Sequence, residues 1–335
     1  MHPFEHVQAT TSAEALALLA GAGADYASAP VRVIAGGTDL LPLMKEGLAA
    51  PTRLIDLKPA GALRDIAAAP AGGLRLGALV TLADIERDAT IAARYPLLRS
   101  AAREAATPQL RAAATIGGNL LQRNRCWYFR GEPRCWLKGG QTCFARAGRS
   151  DHHAILGAEG APCVAVNPSD VAPALVALEA EVAVEGPRGA RTLPVAELLQ
   201  APSAEARIEH RLAPDELIVA IHLPPQPEQA RGVYLKVMER AAWSFALASA
   251  AAQVTMRAGR VERARLVLGG VAPVPWRVRA AEEMIEGQAL SPELASQAAD
   301  QMVAGAAPLA HNAYKVRLAR ELARRALLEA AGATA

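Results

Sequence analysis

Four cysteines, Cys126, Cys135, Cys143 and Cys163, are the only ones in a chain of 335 residues, and all lie on one stretch of it. Their spacing is C-x8-C-x7-C-x19-C. Thiolates bind soft metals, and four of them on one loop suit an iron–sulfur cluster. Zinc ribbons favour paired C-x2-C knuckles, and none is present. Disulfides belong to oxidising compartments. The opening Met1-His2-Pro3-Phe4-Glu5-His6 lacks the basic-then-apolar order of an export signal. Spacing alone leaves cluster, zinc and unliganded thiols open. The flanks favour a cluster. Aromatic residues are only 4% of the chain, yet Trp127, Tyr128, Phe129, Trp136 and Phe144 crowd this loop. Rings keep water from a cluster, although they would equally pack a small satellite core. His152 and His153 share the loop and read as surface or supporting residues rather than ligands.

Two glycine pairs are the second feature. Val31-Arg32-Val33-Ile34-Ala35 reads as a buried strand running into Gly36-Gly37-Thr38-Asp39-Leu40. Ala112-Ala113-Ala114-Thr115-Ile116 runs into Gly117-Gly118-Asn119-Leu120. Adjacent glycines let backbone N–H groups converge on an anion. Two such turns face to face would hold a diphosphate, with Thr38 and Asn119 as further donors. Neither pair fits G-x-G-x-x-G or G-x4-G-K-S/T, so a Rossmann site and a P-loop are unsupported. Singly, each pair is an ordinary turn signal. Asn167-Pro168-Ser169-Asp170 then leads into an apolar run, where Ser169 and Asp170 read as helix caps or, for Asp170, as a partner for ribose hydroxyls.

The segments Ala35-Gly36-Gly37-Thr38-Asp39-Leu40, Thr115-Ile116-Gly117-Gly118-Asn119 and Asn167-Pro168-Ser169-Asp170, with Asn312-Ala313-Tyr314-Lys315-Val316 near the end, resemble the FAD-binding medium subunit of the xanthine dehydrogenase and carbon monoxide dehydrogenase family of molybdenum hydroxylases. The cysteine loop is an insertion between the second glycine pair and the Ser-Asp segment. It most resembles the 4Fe-4S-containing flavin subunits of periplasmic-type aldehyde oxidoreductases, and next those of hydroxybenzoyl-CoA reductases. The resemblance implies that Val33, Ile34, Ala35, Gly36, Gly37, Thr38, Asp39 and Leu40 wrap the FAD pyrophosphate. Thr115, Ile116, Gly117, Gly118 and Asn119 would oppose them, and Asp170 would take ribose or ribityl hydroxyls. Ile218 would pack on the flavin and Lys236 lie near it, against the plainer readings of a core strand residue and a solvated charge. Cys126, Cys135, Cys143 and Cys163 would ligate the cluster. Ala105 stands where some relatives carry an aromatic against the flavin, which weakens that contact here.

These residues need elements to position them. The expected architecture is α+β. A two-lobed FAD-binding region of the vanillyl-alcohol-oxidase/PCMH kind is followed by a C-terminal antiparallel sheet with helices. Expected boundaries are 1–60 for the first lobe, 61–205 for the second with the cysteine loop at 122–165, and 206–335 for the C-terminal domain. Thr81 and Asp84 form a capping box. Ala258-Gly259-Arg260 joins two strands as a hairpin. Ser291-Pro292-Glu293 starts a helix, and Asn312 caps the last one, where Leu318, Leu322 and Ala326 recur at helical spacing.

A composition of 52% hydrophobic and 21% charged residues excludes disorder, and no run is long enough to span a membrane. The net charge of +3 is scattered, so no nucleic-acid footprint is present. No G-x-S-x-G or H-E-x-x-H motif provides substrate chemistry. The resemblance implies electron transfer. A molybdenum-cofactor large subunit would oxidise an aldehyde, and a small subunit with two 2Fe-2S clusters would pass electrons to FAD here and on to an external acceptor. The flavin subunit of a hydroxybenzoyl-CoA reductase-like or xanthine dehydrogenase-like enzyme, a stand-alone flavoenzyme and a zinc-stabilised scaffold without redox role are the alternatives. The cytoplasm is the default location, with periplasmic export on a partner's signal left open.

Overall fold

The computed structural model describes residues 1–20, 23, 25, 27–70, 72–240 and 242–333. Among them, twelve strands form three sheets. β1 (Glu5–Gln8), β2 (Val31–Ile34) and β3 (Arg53–Asp56) pair in parallel, in the order β1-β3-β2. Parallel neighbours need crossovers, and the helices Ser12–Leu19 and Leu40–Lys45 lie in the two connections.

The second sheet is antiparallel. It contains β4 (Ile66–Ala68), β5 (Leu74–Gly77), β6 (Glu181–Gly186), β7 (Gly189–Pro194) and β8 (Leu217–Leu223), in the order β4-β5-β8-β6-β7. β8 lies beyond residue 205, yet it is the central strand of the second lobe's sheet. Its Leu-Ile-Val-Ala-Ile run does not alternate because both faces are covered. Helices pack on this sheet, and the first, Leu82–Arg87, opens with the expected capping box of Thr81 and Asp84.

The third sheet contains β9 (Ala230–Val237), β10 (Ala248–Arg257), β11 (Arg260–Gly269) and β12 (Trp276–Arg277), all antiparallel. The expected hairpin joins β10 to β11. Ala258 at φ +48° and Gly259 at φ +75° both take the left-handed conformation that matches strand twist. Ala248, Ala250 and Ala252 on β10 are small, so the helix Tyr314–Ala331 packs close against the sheet, with Leu322 and Ala326 in the same core. The helix Pro292–Val303 is capped by Ser291 as expected. Asn312 does not cap the last helix. It is fully buried, and its amide donates to the carbonyls of His153 (3.1 Å) and Ala154 (3.2 Å). That bond ties the C-terminal domain to the cysteine loop. No helix among the described residues is long and apolar enough to cross a membrane.

Candidate functional site

β2 runs directly into the first glycine turn. Among the described residues, the amides of Gly36, Gly37 and Thr38 have no protein acceptor. Gly37, at φ +71°, adopts a conformation that glycine takes without strain. Free amides in such a turn are a seat for an anion. The second glycine pair is built differently from the expected twin. It lies inside a short helix, Ile116–Leu120, capped by Thr115. Gly117 donates to the Ala78 carbonyl at 3.0 Å and Gly118 to the Thr115 hydroxyl at 3.2 Å, so these amides are already used. Its glycines serve close packing, since a Cβ on Gly117 would lie 3.0 Å from the Ala78 oxygen. Ile116 is buried in the second lobe's core and does not line the cavity with its neighbours.

The two glycine segments nonetheless meet. A Cβ on Gly36 would overlap the Ala113 carbonyl oxygen, so the first turn lies against the chain entering the second. Val33 to Leu40, Thr115, Gly117, Gly118, Asn119 and Ile218 all wall one cavity. Arg32, Arg123 and Arg125 add cationic lining. Asp39 faces the cysteine loop. It accepts from the Arg123 amide at 2.8 Å, from Arg130 at 2.8 Å and from Arg125. Burial works to raise its pKa, but Arg125 and Arg130 outweigh it and hold the carboxyl below the usual range.

Asp170 borders two adjoining cavities, which also share Arg125, Trp243 and Phe245. Ala105 lines the one that Thr38 and Asn119 also wall. Asp170 caps no helix by its side chain; Ser169 takes that task, accepting from the Ala172 amide at 3.0 Å. The Asp170 carboxylate instead accepts from Tyr234 at 2.8 Å and Lys236 at 2.9 Å. Lys236 is fully buried and also donates to the Glu104 carbonyl at 2.9 Å, so it is no solvated charge. Burial pushes the Asp170 carboxyl and the Tyr234 phenol upward.

All four cysteines line one further, narrow cavity, with Tyr128, Phe129, Trp136 and Phe144 among its walls. None is in a disulfide. Burial pushes the Cys126 thiol up to about 11, and proximity to Cys135 and Cys143 adds to this. Cys163 is pushed up to about 12 by burial, with Cys143 and Cys126 contributing. The backbone of Tyr128 and Phe129 beside Cys126, and of Ala165 beside Cys163, works against this rise without cancelling it. His153 Nε2 lies 3.1 Å from the Cys126 sulfur. Burial first, then Lys315, lowers the His153 pKa to about 4. A neutral thiol beside a neutral ring is not an activated nucleophile. Among the described residues, no three His, Cys, Asp or Glu side chains converge on a single-ion site.

The sequence matches the family described as the FAD binding domain in molybdopterin dehydrogenase over residues 2–226, and the CO dehydrogenase flavoprotein C-terminal domain over 233–330. The chain belongs to the FAD-binding medium subunits of the molybdenum hydroxylases. It is 40% identical to the aldehyde oxidoreductase FAD-binding subunit of Escherichia coli K12, over 89% of this chain and 91% of that one. It is 28% identical to the carbon monoxide dehydrogenase medium chain of Hydrogenophaga pseudoflava, covering 97% and 96%. A solved structure of carbon monoxide dehydrogenase from that organism superposes with a TM-score of 0.78 at 27% identity, covering 99% of this chain and 98% of that one.

Several residues of this flavin subunit's site escape sequence reasoning. Trp243 and Phe245, on the β9–β10 connection, face Asp170's cavities from the C-terminal domain. Arg207 donates to the carbonyls of Trp136 (2.6 Å) and Gly140 (3.1 Å) and stacks on the Trp136 ring. Asn124 donates to Glu209 at 2.6 Å. The scarcity of aromatics is a signal that could have singled out Trp243 and Phe245. Arg207 and Glu209 lie in an ordinary polar loop and carry none.

Proposed function

We propose that this chain is the FAD- and 4Fe-4S-binding electron-transfer subunit of a molybdenum-dependent aldehyde oxidoreductase. FAD would supply two-electron acceptance and the cluster one-electron carriage. The residues present fit both groups. Unpaired amides at Gly36, Gly37 and Thr38, with arginines nearby, suit the diphosphate. Ile218 offers an apolar wall, and Asp170 is oriented by Tyr234 and Lys236 to accept from ribityl or ribose hydroxyls. Cys126, Cys135, Cys143 and Cys163 would hold the cluster, with the rings of Tyr128, Phe129, Trp136 and Phe144 keeping water out.

One observation carries the reading: the four cysteines share one cavity, and among them Cys126 also lines the cavity bordered by Asp170. The cluster would then stand beside the flavin, with Cys126 as the corner between them. Four thiols around one cavity match the four cysteine ligands of a 4Fe-4S cube, one at each iron. The similarity to the E. coli aldehyde oxidoreductase subunit supports the aldehyde branch. Partners would be a molybdenum-cofactor large subunit and a 2Fe-2S small subunit, with an external acceptor taking electrons from the flavin. The assembled complex should bleach at flavin and iron–sulfur wavelengths when aldehyde is added anaerobically. A complex inert to aldehydes but reduced by a purine would favour the xanthine dehydrogenase-like alternative.

A further inference from the structure

The imidazole of His153 lies 3.1 Å from the Cys126 sulfur, within hydrogen-bond reach. A neutral thiol is a weak acceptor, whereas a metal-bound thiolate carries the charge that such donors satisfy. His153 is held firmly in this place. Its amide donates to the Ser150 carbonyl at 3.0 Å. Its carbonyl accepts from Asn312 at 3.1 Å and from Lys315 at 3.0 Å. Lys315 is fully buried, and its other bond goes to the Gly270 carbonyl at 2.6 Å. The ring itself stands edge-on to Trp127, with centroids 5.6 Å apart. His153 Nδ1 is buried and has no partner. An unbonded lone pair there costs less than an unbonded N–H, which favours the tautomer with the proton on Nε2, facing the sulfur.

We propose that His153 donates Nε2–H to the sulfur of Cys126 and thereby raises the reduction potential of the iron–sulfur cluster. The inference rests on the functional reading above. Hydrogen bonds to cluster sulfurs withdraw charge from the ligand and favour the reduced state. Position gives the bond its consequence, because of the four cysteines Cys126 is the one that also lines Asp170's cavity. His153 is therefore a positioning and tuning residue, not a ligand.

The test uses the intact complex with His153→Phe, which keeps a ring but has no donor, and His153→Gln, which keeps a donor. Iron, sulfide and FAD are measured first, then the cluster's midpoint potential by a titration followed by electron paramagnetic resonance. The expected result is unchanged iron and flavin in both variants, a lower potential in His153→Phe, and a smaller shift in His153→Gln. A fully loaded His153→Phe with the parent potential would overturn the proposal. Equal shifts in both variants would also overturn it, since ring packing and not the donor would then be responsible. Iron loss in both would make His153 a structural or ligating residue. A parent complex without iron would defeat the functional reading itself, independently of any variant.

Discussion

Asp39 shows how one side chain serves two sites. It belongs to the turn with free amides at Gly36, Gly37 and Thr38, yet its carboxylate is bound by Arg125, Arg130 and the Arg123 amide of the cysteine loop. Asp39→Asn keeps the shape and the acceptor for Arg123 but removes the charge that two guanidinium groups need. The expected cost is roughly 1–3 kcal/mol. Because the same residue bridges both regions, FAD and iron retained after gel filtration should fall together. Loss of FAD with full iron retention would mean that the two sites are independent. The motif Gly36-Gly37-Thr38-Asp39 was legible because its chemistry is local. The second glycine pair looked like its copy and is not. In Gly117 and Gly118 the same letters serve packing on Ala78 and a helix start, a difference set by what lies across the fold. Asn312 likewise has the residue type of a cap, but its amide is taken by carbonyls of the cysteine loop, far away in sequence.

The segment after Leu198 clasps the cysteine loop. Gln200 and Arg211 pair across it with the carbonyls of Glu209 and Leu198, which fixes the strip that carries Arg207 and Glu209. His210 is buried within this strip. Burial first, then the charges of Arg123 and Arg32, lowers its pKa to about 3. The unfolded chain binds this proton near pH 6.5. The folded chain binds it only near its lowered value. Stability from this group is therefore complete above about pH 6.5 and is lost as pH falls toward about 3. Between pH 7 and pH 5 the loss should be about 2 kcal/mol. Urea unfolding across that range should show it for the parent protein, and a His210→Leu variant should show a flatter dependence. Equal slopes would place the acid sensitivity elsewhere. Elements such as the β10–β11 hairpin and the Ser291-capped helix were legible because turn and cap chemistry is written in adjacent residues. The placement of β8 was not. Its partners, β5 and β6, are more than a hundred and more than thirty residues away in the chain, and local periodicity carries no trace of that pairing.

At the scale of the whole molecule, the three sheets converge on the cysteine insertion. The parallel sheet contributes the anion turn through β2, the second lobe contributes the clasp, and the C-terminal domain contributes Asn312, Lys315 and the Lys236 that orients Asp170. This arrangement brings the turn with free amides, the Asp170 carboxylate and a thiol-lined cavity into one continuous region that all three parts of the chain support. The overall class was legible because glycine turns, capped helices and a hairpin each follow from short stretches. The contact between the thiol-lined cavity and Asp170's cavity was not, because Cys126, Trp243 and Asp170 come from separate regions of the sequence. The most direct test of the account is flavin, iron, sulfide and zinc content per chain in the purified protein, read with its visible spectrum. The account predicts one FAD with four irons and four sulfides. A colourless protein carrying zinc, or a yellow one with FAD and no iron, would contradict it.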